Sequence, residues 1–316
     1  MKVVSTSPSF AKYSNEPIDL LTKNGIELIQ LPADISEDQF LDHIQDAAGA
    51  IVAFNHINQH VLSKAPHLKI ICKHGIGVDN IDLKATNEQD VWVTNVPDAN
   101  KHAVADFTFA LMLSLARQVP LAHQQTKEGN WPRIFGSDIH SQTIGIVGLG
   151  SIGREVAHRA KGFSMEILAY DPYPNYDFAN ANGIKFVELD ELLRNSDFVT
   201  LHMPLTKQTK NLIDSEQLEI MKESAYLINA SRGEIVIEKS LYKALKSNTI
   251  AGAALDVFEK EPAQEHPLFD LPNFIATPHI AGYTIGAINS LGMVCAQNII
   301  DVIINKKRPQ HVVNKL

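Results

Sequence analysis

The sequence predicts an α/β protein of two doubly wound, parallel-sheet domains, the second inserted within the first. Three observations predict it. Short β-branched runs alternate with helical patterns along almost the whole chain, as parallel βαβ units do. A strand, glycine-rich turn and helix of the kind that opens a doubly wound sheet starts at residue 143 of 316, not near residue 1. The last helical stretch, "GAINSLGMVCAQNIIDVIINKK", follows the final strand candidate and has no strand of its own. A chain of this length is also long for a single core.

In the first hundred residues the strands are "KVVST", "IELIQL", "GAIVAF", "LKIICK" and "VWVTNV", with helices such as "SEDQFLDHI" and "NQHVLSKAP" between them. After "NVPDAN", the stretch "KHAVADFTFALMLSLARQV" reads as one long helix with an apolar stripe, and "WPRIFGSDIHSQ" as a loop. The strand–turn–helix "TIGIVGLGSIGREVAHRA" comes next. Beyond it "MEILAYD", "IKFVEL", "DFVTLHM", "AYLINAS", "IAGAALDV" and "FIATPH" continue the strand series, with "SEQLEIMKE" and "EKSLYKALKS" as helices. Residues 101–285 thus suffice for a complete doubly wound domain, leaving 1–100 and 286–316 for the other. Two crossings make a hinge, and a cleft between domains is where small ligands are normally held.

Composition narrows the function classes. A net charge of −8 with no Lys/Arg block speaks against nucleic acid as a partner. The start, "MKVVSTSPSFAKYSN", lacks the apolar core of a secretory signal. No apolar run approaches the roughly 18 residues of a membrane span, so no membrane partner is expected. Cys72 and Cys295 lie far apart in sequence and belong to no metal or redox motif. They read as buried, reduced thiols, no metal is expected, and the expected location is the cytoplasm.

The glycines of the central turn fall at Gly148, Gly150 and Gly153, the G-x-G-x-x-G spacing. In this spacing they serve the tight turn, close approach of a pyrophosphate, and helix–strand packing. The amides near Ser151 and Ile152 then point at the phosphates, where the helix dipole favours negative charge. The next strand ends in Asp171, 18 residues after Gly153, close to the spacing of the acid that holds the ribose hydroxyls. An acid here repels a 2′-phosphate, so NAD is the expected cofactor rather than NADP. The plainer reading is that Asp171 caps the "DPYPN" turn; one carboxylate can do both.

Three further stretches carry chemistry. "INASRGE" places Arg232 after a buried strand, at the edge where such sheets bind ligands. "LDVFEKEPAQEHP" places Glu261 in a loop after the next strand, with Glu259 competing for its role, and "IATPHIAGYT" places His279 at the end of another. The arginine can hold a substrate carboxylate. The histidine can exchange the proton of a hydroxyl as hydride leaves or reaches the same carbon. The glutamate can orient the imidazole and favour its charged form. Singly, each has an ordinary structural reading: an ion pair, a loop cap, a solvated acid.

Together these stretches resemble the D-isomer-specific 2-hydroxyacid dehydrogenases over essentially the whole chain. The resemblance rests on "VGLGSIGREVA", "INASRGE", "GAALDVFEKEP" and "TPHIAGYT", with "GIGVDNID" and "NVPDANKHAVADF" in the first half. It implies that Arg232, Glu261 and His279 are the catalytic trio, which selects Glu261 over Glu259. The family's formate dehydrogenases carry glutamine at this position, so that branch is excluded. The resemblance further implies a flavodoxin-like substrate domain and an inserted Rossmann-like NAD domain. It gives cofactor contacts at His202, Met203, Pro204, Thr209, Ala230, Asp256 and Gly282. In the substrate loop, which includes Gly75, Ile76 and Gly77 offer amides to the substrate carboxylate, and Asn100 lies near it. A homodimer formed through the nucleotide domains is also implied.

Among family members the likeness is greatest to the 3-phosphoglycerate dehydrogenases, from "GVDNIDLKAT" through "LARQVP" to "GNWPR". Lys73 stands where such enzymes have a basic residue, and Arg133 matches one that reaches the neighbouring subunit's site. Three features depart from that pattern. No arginine stands near Ala53, and His56 and His74 supply charge there only in part. Tyr283 replaces the usual serine, and the chain ends without a regulatory serine-binding domain. Glyoxylate, hydroxypyruvate or another short 2-keto acid is therefore the alternative substrate. A remoter alternative is an NAD-sensing corepressor-like regulator, which shares the fold and the trio, although the acidic balance opposes direct DNA contact.

Overall fold

The computed structural model describes residues 1–315. The chain divides into two compact units, Met1–Asn100 with Tyr283–Leu316, and Lys101–Gly282. The return to the first unit falls a few residues before the expected 286.

The first unit holds five strands: β1 (Lys2–Ser5), β2 (Glu27–Gln30), β3 (Gly49–Val52), β4 (Ile70–Lys73) and β5 (Trp92–Thr94). All pair in parallel in the order β2-β1-β3-β4-β5, the flavodoxin-like arrangement. Side chains alternate between two apolar layers, as a sheet covered on both faces requires. Val3, Ile51, Ile70 and Cys72 face one layer, and Val4, Ala50, Val52 and Ile71 the other. The second layer is closed by Phe40, Ile44, Val61 and Leu62 from short capped helices. Ser36, for example, forms a reciprocal capping box with Gln39.

The first layer is closed by the helix Ile285–Ile303, through Ile288, Leu291, Cys295 and Ile299. Its position explains why it follows the final strand without a strand partner there. By length and composition this helix is apolar enough to cross a membrane, a correction to the reading from uninterrupted runs. Asn289, Ser290, Gln297 and Asn298 interrupt the run without lowering the average enough. More than half of its apolar window is buried as core. Cys72 and Cys295 are both buried free thiols in this layer.

The second unit holds seven parallel strands: β6 (Thr143–Val147), β7 (Glu166–Tyr170), β8 (Ile184–Phe186), β9 (Phe198–Leu201), β10 (Tyr226–Asn229), β11 (Gly252–Leu255) and β12 (Phe274–Ala276). Their order, β12-β11-β10-β9-β6-β7-β8, reverses direction at β6, the switch point where doubly wound sheets bind dinucleotides. The interior strands β9 and β11 are buried along their whole length. Ile146, Ile228 and Ala254 face one layer, and Val147, Leu227 and Ala253 the other.

The long helix expected after residue 100 is shorter than its apolar pattern. It runs Lys101–Ala116, and a second helix, Val119–Lys127, follows at an angle of 61°. Pro120 is the cause: it has no N–H to give the Ala116 carbonyl four residues back, its ring clashes with that carbonyl, and it suits the first turn of a new helix. Gln118 takes the left-handed conformation at the corner, with φ 50°. The carbonyl of Ala116, released by the break, accepts the N–H of Ser137 at 2.7 Å.

The register of the second sheet has a direct bearing on chemistry. Tyr170, Val147, Leu201, Asn229, Leu255 and Ala276 pair one to the next across β7, β6, β9, β10, β11 and β12. These six residues form one row, and each is the last of its strand. The next residue in each case is Asp171, Gly148, His202, Ala230, Asp256 or Thr277. The candidate residues of the sequence reading therefore leave the sheet at one level.

Candidate active site

At the β6 turn, Gly148 has φ 99°, in the region that favours glycine, and Gly150 is the N-cap of the helix Ser151–Gly162. A Cβ on Gly153 would lie 2.1 Å from the Gly148 carbonyl oxygen, so helix and turn touch through bare backbone. At Gly150 a Cβ would meet nothing within 4 Å. The turn is closed where it packs on the protein and open at the glycine that must admit a pyrophosphate. The first-turn amides of Ser151 and Ile152 have no partners four residues back within the helix and suit an anion. These residues fit a dinucleotide.

Asp171 is tied into the same turn. One carboxylate oxygen accepts the Leu149 N–H at 2.8 Å, and the other accepts the Tyr173 N–H at 2.9 Å. The capping role is thus present, and it also fixes the acid beside the glycines. From 172 to 184 the chain carries no Lys or Arg that would welcome a 2′-phosphate. Arg154, not singled out from sequence, donates to the Leu149 carbonyl at 3.2 Å and lies over the Phe178 ring at 4.7 Å. After β9, the His202 imidazole hydrogen-bonds Thr200 at 2.9 Å, and burial pushes its pKa down to about 3. Met203 is buried and Pro204 exposed. The buried Thr209 hydroxyl donates to the Pro204 carbonyl at 2.6 Å, so this side chain organises its own turn.

The trio residues leave β10, β11 and β12. His279 Nδ1 lies 2.7 Å from Glu261 Oε2, and their side chains are 34% and 31% exposed. Glu259, the competitor, accepts the Glu238 N–H at 3.3 Å instead. Burial pushes the Glu261 carboxyl up. The His279 hydrogen bond and charge, the Phe258 N–H and the charge of Arg232 outweigh it, leaving the pKa below the ordinary glutamate range. The Glu261 carboxylate can only accept, so this bond places a proton on Nδ1.

Two buried polar side chains hold this geometry. Asn229, fully buried at the end of β10, accepts the Ser231 N–H at 3.0 Å and donates to the Arg232 carbonyl at 2.8 Å. It therefore shapes the turn that presents Arg232, a role that nothing in the local sequence pattern revealed. Asp256, 1% exposed, accepts Thr277 Oγ1 at 2.6 Å, the Ile280 N–H at 2.9 Å and the Ala281 N–H at 2.8 Å. Burial pushes its carboxyl up, and these bonds pull it back only in part. His279 itself has φ 55°, an uncommon conformation for a non-glycine residue. Its N–H donates to the Asp256 carbonyl at 2.8 Å, which helps hold it there. Ala230 and Gly282 lie partly exposed at the ends of these turns.

In the first unit, the substrate-loop residues follow β4. Gly75, Ile76 and Gly77 are partly exposed, and Asn95 Nδ2 donates to the Ile76 carbonyl at 2.7 Å. Lys73 Nζ donates to the Ala53 carbonyl and, at 2.8 Å, to Asn80. His74 is buried, with Nδ1 2.9 Å from Ser7 Oγ. Burial, with Lys73 nearby, pushes its pKa down to about 4. The partial positive charge expected of His74 is therefore corrected: it is neutral at pH 7. His74 Nε2 and Asn100 Oδ1 are buried without a partner. Tyr283 hydrogen-bonds Ser9. Arg133 lies on the exposed loop of the second unit, between Trp131 (88% exposed) and Phe135 (86%).

A doubly wound sheet with an anion-binding turn at its switch point and an imidazole–carboxylate pair on the same edge defines the dinucleotide-binding oxidoreductase class. Residues 109–281 match the model described as "D-isomer specific 2-hydroxyacid dehydrogenase, NAD binding domain", and the chain belongs to that family. A D-3-phosphoglycerate dehydrogenase of Archaeoglobus fulgidus is 40% identical over 306 residues, covering 96% of this chain but 57% of the relative. The chain thus spans little more than half of that protein's length. A glyoxylate reductase of Korarchaeum cryptofilum is 40% identical over 283 residues, covering 87% of this chain and 85% of the relative. The crystal structure of the TT0316 protein from Thermus thermophilus superposes with a TM-score of 0.91 at 32% identity, covering 99% of this chain and all of that one.

Proposed function

We propose that the chain is an NAD-dependent dehydrogenase that interconverts D-2-hydroxy acids and 2-keto acids. The observation that carries this reading is the 2.7 Å pairing of His279 with Glu261 on the edge that presents the glycine turn and Arg232. The cofactor would accept the hydride as NAD+ in oxidation of the hydroxy acid and supply it as NADH in reduction of the keto acid. Gly150, the Ser151 and Ile152 amides and Asp171 would hold it, with the turns at His202–Pro204, Ala230, Asp256 and Gly282 around it. Arg232 holds the substrate carboxylate in a forked hydrogen bond. His279 Nε2 takes the hydroxyl proton in oxidation and returns it in reduction. Glu261 keeps the imidazole in the productive tautomer and stabilises its charged form.

The second unit is the NAD domain in this reading, and the first carries the substrate loop, Lys73 to Gly77 with Asn100. Between substrates, the geometry favours a short unphosphorylated acid such as glyoxylate or hydroxypyruvate. His74 is neutral, Lys73 Nζ is engaged by Ala53 and Asn80, and no arginine stands near Ala53. The phosphoglycerate reading draws on Lys73, Arg133 and the names of relatives. The exposed Trp131 and Phe135 beside Arg133, with Val119 and Leu121, support a homodimer through the second unit. Two reduced thiols support a cytoplasmic location.

A panel assay of NADH oxidation with 3-phosphohydroxypyruvate, hydroxypyruvate, glyoxylate and pyruvate tests the proposal. Turnover of an unphosphorylated acid with the highest kcat/KM is the expected result. Preference for 3-phosphohydroxypyruvate reverses the substrate choice, and turnover of none of the four ends the enzymatic reading.

A further inference from the structure

Glu261 stands in the loop Glu259–His266, which leaves the sheet after β11 and has no strand of its own to steady it. Both ends of that loop converge on one side chain. Glu238 is the first residue of the helix Glu238–Lys246, and its side chain is 12% exposed. Its Oε1 accepts the Glu259 N–H at 2.6 Å, and its Oε2 accepts His266 Nε2 at 2.9 Å. The backbone answers in return, with the Glu238 N–H donating to Glu259 Oε1 at 3.3 Å.

His266 is equally committed. Its Nδ1 accepts the Leu268 N–H at 3.3 Å, which leaves Nε2 as the protonated nitrogen directed at Glu238. Its ring packs against Phe258 and Phe269, with centroids 5.7 and 5.4 Å away. A short charge-assisted bond to a mostly buried carboxylate is among the stronger polar contacts available. The helix N-terminus favours that carboxylate's negative charge.

We propose that Glu238 is a positioning residue for the reaction: it clamps both ends of the Glu259–His266 loop and thereby sets Glu261 against His279. Glu238 touches no reacting atom and acts through Glu261. Phe258, whose N–H binds Glu261 Oε1 at 3.0 Å, immediately precedes one clamped end. Releasing the clamp lets the loop drift, and the 2.7 Å bond to His279 lengthens or is lost. A displacement of about 1 Å in a catalytic group can cost on the order of 100-fold in rate. The inference rests on the dehydrogenase reading for its kinetic consequence only; the loop geometry stands apart from it.

Three variants test it: Glu238→Ala, Glu238→Gln and His266→Asn. Glutamine keeps an acceptor for the Glu259 N–H but presents an amide to His266. Asparagine keeps an acceptor for Leu268 but no longer reaches Glu238. With the 2-keto acid that the wild type turns over, Glu238→Ala is expected to lower kcat by about 10- to 100-fold. NADH affinity should stay within about twofold, and Glu238→Gln and His266→Asn should fall between. Carbon-13 NMR of Glu261 gives a reading independent of turnover: its carboxyl pKa, held low by His279, should rise in Glu238→Ala. Unchanged kcat and an unmoved Glu261 carboxyl in folded Glu238→Ala overturn the proposal. If that variant does not fold, wild-type behaviour in both others overturns it equally. A wild type without dehydrogenase activity removes the functional reading alone, and the carboxyl signal still decides for or against the clamp.

Discussion

Replacing Glu261 with glutamine, nearly identical in shape, tests the core of the site. The wild-type carboxylate has two acceptor oxygens and uses both, one for the Phe258 N–H at 3.0 Å and one for His279 at 2.7 Å. An amide has one acceptor. If its oxygen stays with Phe258, its NH2 faces Nδ1, drives the imidazole into the tautomer with Nε2 protonated, which cannot take a proton from substrate, and opposes the imidazolium that must give one when NADH is oxidised. If its oxygen turns to His279, the Phe258 N–H is stranded. Losing the charge assistance costs about 1 kcal/mol, and a stranded donor about 1–2 kcal/mol. Because roughly a third of each side chain meets solvent, the sum is discounted to about 2 kcal/mol, or some 30-fold in kcat. Steady-state NADH oxidation gives kcat, and NADH fluorescence titration gives affinity. The expected result is the 30-fold fall with affinity held within about twofold. A kcat near that of wild type, or an equal loss of NADH affinity, would refute the assigned role.

Two more predictions follow from packing and burial. Gly150→Ala should leave thermal stability nearly unchanged yet weaken NADH binding, whereas Gly153→Ala should cost about 1–3 kcal/mol of stability, because its methyl group would meet the Gly148 carbonyl; thermal unfolding and NADH titration of both variants separate the two effects. His74 should make the first unit acid-sensitive. Its folded pKa of about 4 lies below its ordinary 6.5, so only the unfolded chain takes up the proton between these values. The stability is present above about pH 6.5 and is lost as pH falls toward 4, by about 3 kcal/mol in total. Urea unfolding across this range should show a shallower pH dependence in His74→Asn; identical slopes would show that His74 is not the group responsible. His202 gives the second unit a dependence of the same sense, so the comparison is between variant and wild type.

The parts of the fold legible in the sequence were those written locally. Parallel strands buried on both faces announce themselves as β-branched runs, and the turn at Gly148–Gly153 carries its own spacing. That Arg232, Glu261 and His279 follow β10, β11 and β12 was legible from the order of strands and loops, whereas the choice of Glu261 over Glu259 came from the family resemblance alone. Less visible was anything fixed by pairing across the sheet. Glu238 and His266 are 28 positions apart, and Asn229 looks like any strand-end polar residue until its turn is folded. The neutrality of His74 depends on burial that its loop sequence does not reveal. The helix break at Gln118 was within reach, since Pro120 is in plain view, but the apolar pattern continues through it.

The common level at which six strands end makes the backbone ladder the gauge of this molecule. Deleting one residue inside any of those strands would draw the group beyond it down by about 3.3 Å and turn alternate side chains to the opposite face. The segments least tolerant of a change in length are then the ones bearing no chemistry, while the loops that carry the reacting groups can be redrawn around fixed exits.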